Sequence, residues 1–280
     1  MSASQIPEFF SDPLTAAGLT ALAAQAGAYS LYWFLGDRAH RERAAEGFER
    51  VLVSGVLFGI ALILINLSLW GLSIYLSVAG VRLPDNSAIM VLNKTKNWQD
   101  FGANVQTALK IAEQTYRRYV GAAWEILAGY MASVTGTGIV PWTTPVSMAI
   151  MNGLAYIVTA ATTILISAAV YAVAAAMAYG WPAFLSIGAV LVTYERTRNL
   201  SAWLLALSVV TPVVLMAGAD VLRSAVNPST LPRLDTATPF GAVPLIQAMV
   251  LLGLIALVLS VTTYAASRLF DHAGAHLALD

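Results

Sequence analysis

His272 and His276 stand four residues apart beside Asp271, the spacing at which two imidazoles meet on one helix face and hold a metal ion. The competing reading of the tail DHAGAHLALD is a solvated end with no ligand. Gly136 and Gly138 suggest a phosphate-cradling loop, yet no strand is expected before them and no lysine follows. The chain has no HExxH, no GxSxG and no paired intramembrane aspartates, and His40 lies, like the other two histidines, outside the apolar runs. With no cysteine, thiolate metal sites, Cys nucleophiles and disulfides are excluded together. The expectation is a protein that is not an enzyme, with no catalytic residue, cofactor or metal site.

A second group of residues is suited to binding. Lys110, Arg117 and Arg118 lie close to Tyr116 and Tyr119, and cations interleaved with rings are the chemistry that contacts a nucleic-acid backbone and stacks on its bases. Glu113 and Glu125 dilute that charge. Phe101, Val105, Leu109, Ala112, Tyr116, Tyr119, Ala123, Leu127, Tyr130 and Val134 recur at three- and four-residue spacing, so these groups ride on an amphipathic helix of about thirty residues. Three readings stay open for it: a helix lying on the membrane or packed over a bundle with its charges solvated, an oligomerisation surface, or a nucleic-acid contact.

The elements that must position this helix are greasy. Of 280 residues, 58% are hydrophobic and 11% charged, and the net charge is zero, so no global field recruits a charged partner. The run from Val51 to Val81 holds no ionisable side chain and, at ~1.5 Å per residue, exceeds the ~30 Å hydrocarbon thickness of a bilayer. The expected fold is all-α, a polytopic bundle with spans at 13–36, 51–81, 146–179, 199–222 and 240–268. Three units follow: a two-helix unit at 1–81, an external region at 82–145 containing the amphipathic helix, and a three-helix unit at 146–280.

The apolar stretch 182–194 reaches about 20 Å, too short to cross, and follows a break at Gly180 and Pro182, so it is read as a re-entrant or short helix. Arg38, Arg41, Arg43 and Arg50 after the first helix place that loop in the cytoplasm, which puts the N-terminus outside, the C-terminus inside and the central region outside. Gln25, Asn66, Asn152, Thr159, Thr162, Thr163, Ser167, Ser208 and Gln247 are the interior polar groups, read as interhelical hydrogen bonds or, alternatively, a polar lining. Gly55 with Gly59, and Ala168, Ala172 and Ala176, suit close helix approach, Pro212 should kink its helix, and Asp220 with Arg223 reads as an interfacial pair.

This layout resembles the TrbL superfamily, the polytopic membrane component of type IV secretion systems, and the CedA-like archaeal DNA-import proteins. The residues that carry the resemblance run from Gly180 to Trp203: the Gly180 and Pro182 break, a short apolar segment, the Thr197 and Arg198 pair and the Trp203 helix. The resemblance implies an oligomeric channel or platform subunit in the cell membrane that moves DNA with a cytoplasmic ATPase and a small pilin-like membrane protein. It implies that Arg196 and Arg198 face the ATPase and that the central region meets the substrate or pilus. A small-solute transporter subunit and a non-conducting pilus anchor are the alternatives.

Overall fold

Asp37 starts the longest helix by a local device. Its carboxylate accepts the backbone N–H of His40 at 3.0 Å and faces the His40 ring nitrogen at 2.6 Å, satisfying a donor that the first turn leaves open. In the computed structural model, which describes residues 13–78, 87–93, 101–138, 144–227 and 242–277, this cap opens α2 (Arg38–Val78). Before it runs α1 (Pro13–Leu35). After it come α3 (Ala88–Asn93), α4 (Phe101–Gly138), α5 (Thr144–Gly153), α6 (Ala155–Tyr179), α7 (Trp181–Val192), α8 (Arg198–Ala225) and α9 (Ala242–Leu277), with a 3-10 turn at Glu195–Thr197 between α7 and α8. No strand occurs among the described residues.

Four helices are long and apolar enough to cross a membrane: α2, α6, α8 and α9. The expected first span forms as α1 but is not among them, because Thr20, Gln25, Tyr29, Ser30 and Tyr32 interrupt its apolar residues. The expected third span divides at Gly153 into α5 and α6. The segment at 182–194 is the short helix α7, and it continues α6 instead of doubling back on it. Helical hydrogen bonds bridge the break, Gly180 N–H to Ala176 O at 3.1 Å and Phe184 N–H to Gly180 O at 3.0 Å, and α6 and α7 scarcely touch. Pro182 lies in the first turn of α7, where a missing N–H costs nothing, so the chain bends there without losing its ladder.

The α8 helix is the central column, packed by α9, α7, α2, α4 and α6. Its lower half meets α7 in a tight hairpin, with the Ser201 hydroxyl donating to Gly188 O at 2.8 Å and the Thr197 hydroxyl to Leu191 O at 2.9 Å. Ser54 of α2 donates to Ala189 O, Gly18 of α1 lies against Ser186, and Gln25 Nε2 reaches the Tyr194 hydroxyl at 3.5 Å. The α1–α2 turn lies beyond Tyr194, and Arg198 pairs with Asp271 of α9 at 3.4 Å. One end of the bundle therefore collects Arg38, Arg41, Arg43, Arg50, Arg196, Arg198 and Arg268.

Candidate functional site

The amphipathic helix is real and longer than its apolar stripe required. In α4, Val105, Ala108, Leu109, Ala112, Thr115, Tyr116, Tyr119, Ala123 and Ile126 are buried against α3, α6 and α8, while Lys110, Gln114, Arg117, Arg118 and Glu125 are exposed. The stripe is thus covered by the bundle itself, which is the packed form of the first reading.

That packing corrects the expected contact set. Tyr116 and Tyr119 are 6% and 0% exposed, so their rings are withdrawn from any surface on which a base would stack. Their hydroxyls instead bind main chain of α8: Tyr116 donates to Leu215 O at 3.0 Å, and Tyr119 to Leu222 O at 3.3 Å and to Val226 O. Leu222 O already accepts the Val226 N–H at 2.9 Å, so Tyr119 adds a second donor there and also serves the Val226 carbonyl just past the α8 C-terminus. Tyr171 of α6 likewise donates to main chain, at Leu252 O inside α9, and the Tyr116 and Tyr171 rings stack with centroids 4.6 Å apart. Gly218 makes room for this: a Cβ there would come within 2.7 Å of the Tyr116 hydroxyl and 2.8 Å of Ile255.

The cations fare differently. Lys110, Arg117 and Arg118 keep the outward face. Glu113 is held from two sides, by Arg117 at 2.6 and 2.9 Å and by the Tyr179 hydroxyl at 2.7 Å, so the acid that dilutes the stripe is largely occupied by its neighbours. The link from Glu113 to Tyr179 spans 66 residues and no local pattern announces it.

Asp220 is the other correction. It does not form the expected interfacial pair with Arg223 but turns inward, 2% exposed, and accepts the N–H groups of Ala88 at 3.0 Å and Ile89 at 2.8 Å at the start of α3. A carboxylate on two backbone donors is a strong, charge-assisted cap supplied from a distant helix.

At the basic end, Arg196 is exposed, whereas Arg198 is half-buried and also donates to Asp271 O at 2.5 Å. Trp203 packs against Tyr264 with ring centroids 6.4 Å apart. His272 Nδ1 sits 2.8 Å from the Arg268 carbonyl of its own helix, the side chain of His276 lies outside the described residues, and no group of three His, Asp or Glu among the described residues could hold a metal ion. Gly136 lies inside α4, Gly138 is its last residue, and residues 139–143 lie outside the described residues.

The interior hydroxyls also behave unlike the expectation. Thr159, Thr162, Thr163 and Ser167 bind carbonyls one turn back in α6, and Ser208 binds Leu205 O in α8, so they serve their own helices. Among the expected groups it is Gln25 that reaches another element, the turn at Tyr194 after α7, and the Asn66 side chain lies outside the described residues. Gly55 and Gly59 have nothing within 4 Å of a Cβ position, and Ala172 and Ala176 are exposed, so these small-residue faces look outward. A cavity of 390 Å³ between α2, α8 and α9 has Ser68 as the one polar side chain among its described lining residues.

No protein-family model, curated protein or solved structure matches the chain.

Proposed function

We propose that this chain is a non-enzymatic membrane subunit, channel or platform, of a DNA-transfer or DNA-import machine of the type IV secretion kind. The observation that carries the reading is the division of α4: its apolar stripe is consumed by the bundle, and Lys110, Arg117 and Arg118 are left outward, apart from the Arg-rich basic end. Cations presented along one face suit a phosphate backbone, which is bound by charge without regard to base sequence. The residues of the TrbL-like stretch support the reading as well. Gly180 and Pro182 make the bend, Thr197 braces the α7–α8 turn, and Arg198 locks that turn to α9, which leaves Arg196 free to meet a cytoplasmic ATPase.

In this reading the basic end faces the cytoplasm, in accord with the bias of short Arg-rich loops. The chain works as a homo-oligomer beside an ATPase and a small pilin-like membrane protein, with DNA as cargo. Reversing Lys110 and Arg118 together to Glu should lower DNA transfer between cells by about tenfold or more while the chain stays at normal level in the membrane. Unchanged transfer at normal protein level would overturn the reading.

A further inference from the structure

One exposed stripe of α9 changes character along its length. Val250, Leu254, Leu257, Val261 and Tyr264 recur at three- and four-residue spacing, are 50–59% exposed, and lead in the same register to exposed Arg268. At ~1.5 Å per residue the aliphatic part, Val250 to Val261, is about 16 Å long, close to half of a ~30 Å hydrocarbon layer. Tyr264 stands one turn beyond it and Arg268 two turns, at the basic end, where Asp271 meets Arg198. Toward that end the stripe therefore runs aliphatic, phenol, cation, in the order that matches the acyl chain, glycerol ester and phosphate of a phospholipid.

The polar end is held in place. Arg268 Nε and Nη2 donate to the Tyr264 hydroxyl at 3.4 and 3.3 Å, and the guanidinium carbon lies 5.4 Å from the ring centroid. A guanidinium carries five N–H donors, so most stay open after these two. No carboxylate among the described residues pairs with Arg268, and Asp271, one turn on, is engaged by Arg198 at 3.4 Å. Trp203 of α8 backs the Tyr264 ring and is itself 43% exposed, as aromatic side chains at a membrane edge are. The open fork suits two oxygens of a phosphodiester. A quaternary ammonium would compete for the ring that Arg268 already covers, which favours an anionic headgroup over a phosphocholine.

We propose that this stripe binds an anionic phospholipid, with its phosphate on the open donors of Arg268, its ester region beside Tyr264 and Trp203, and one acyl chain along Val250 to Val261. The site is independent of what the chain transports. In the orientation proposed above it lies in the cytoplasmic leaflet, the anionic one.

The full-length chain in neutral detergent is titrated with phosphatidylglycerol and with phosphatidylcholine of equal chain length, and bound lipid is counted by native mass spectrometry. Phosphatidylglycerol should bind about fivefold or more tightly. Arg268→Gln should bring it to the phosphatidylcholine level, and Arg268→Lys, which keeps the charge without the fork, should fall between. Tyr264→Phe, which removes the brace and leaves the cation, should lower the preference about twofold, and it serves as the second variant if Arg268→Gln loses thermal stability without lipid. Equal wild-type affinities for the two lipids, or a preference that survives both Arg268→Gln and Tyr264→Phe, overturn the site. Glycerol phosphate, which has no acyl chain, should not displace the lipid at tenfold excess over it; displacement would overturn the lipid in favour of a soluble phosphate.

Discussion

The two halves of this bundle are held together by different chemistry. Toward the basic end, α1, α7 and the lower parts of α2 and α8 approach through small residues. Gly18 meets Ser186, Gly47 meets the Tyr29 ring, and Gly188 meets Leu205 with room for nothing larger. Toward the other end, α3, α4, α6 and α9 surround α8, and long polar side chains reach main chain across the helix contacts: Tyr116, Tyr119, Tyr171 and Asp220. Backbone approach draws on dispersion, which requires every atom in place, whereas a phenol or carboxylate reaching a carbonyl or N–H satisfies a buried polar group and leaves its surroundings adaptable. The outward cations of α4 therefore stand on the half tied by Tyr and Asp side chains, whereas the exposed Arg38, Arg41, Arg43 and Arg196 stand on the other.

That contrast can be broken most severely at Asp220. Asp220→Ala strands the two α3 donors and should lower stability in detergent by roughly 3–5 kcal/mol, read as a fall in the thermal midpoint of tryptophan fluorescence. Asp220→Asn, which keeps one acceptor oxygen, should recover part of the loss. Equal midpoints for wild type and Asp220→Ala would show that α3 is not tethered there.

Gly18→Leu tests the other half. A Cβ at Gly18 would lie 2.9 Å from the Ser186 Cα, backbone that cannot swing aside, and the added side chain should cost about 2–3 kcal/mol. The same change at Gly55, which has open space, should be close to neutral in the isolated chain, and a matching loss at both sites would dissolve the distinction.

Tyr119→Phe keeps the ring and removes the hydroxyl that serves Leu222 and Val226, with an expected loss of about 1–2 kcal/mol. Hydrogen exchange should quicken selectively in the last turn of α8, and a uniform change over the whole chain would speak against a local tether.

The smallest effect concerns the α2 cap. The His40 hydrogen bonds to Asp37 hold its carboxyl below the usual carboxylate range. A depressed folded value means that the cap contributes above the ordinary Asp value of about 3.9 and is lost as pH falls through the lower folded value. The protection of the amides at residues 38–41, relative to their intrinsic exchange rates at each pH, should thus be unchanged between about pH 7 and 5 and fall once the carboxylate protonates, and Asp37→Ala should abolish that acid limb.

How much of this was legible in the residues varies with the range of the interaction. The α4 helix could be read from Val105, Leu109, Ala112, Tyr116, Tyr119 and Ala123, because a 3.6-residue period is a local property, and the Asp37 start of α2 is equally local. The failures share one cause. Tyr116 and Tyr119 looked like exposed stacking rings when considered beside their Arg neighbours, yet they belong to the apolar period and their hydroxyls find carbonyls about a hundred residues away. Gly55 and Gly59 had the spacing of a contact and Gly18, Gly47 and Gly188 did not, since spacing does not say which face a helix turns inward.

The chain by itself determined that it is helical, that long stretches of it belong in lipid, and that its cations gather on one stripe of one helix and in a few short segments. Those outcomes follow from hydropathy and periodicity, which act over one or two turns. Only the tertiary structure decided that the α6–α7 break is a bend, that the Arg-rich segments share one end, that Asp220 caps α3, and that the α4 cation stripe faces away from α3, α6 and α8. Each of these depends on which helices pack together, and that is settled by shape and hydrogen bonding between segments far apart in the chain.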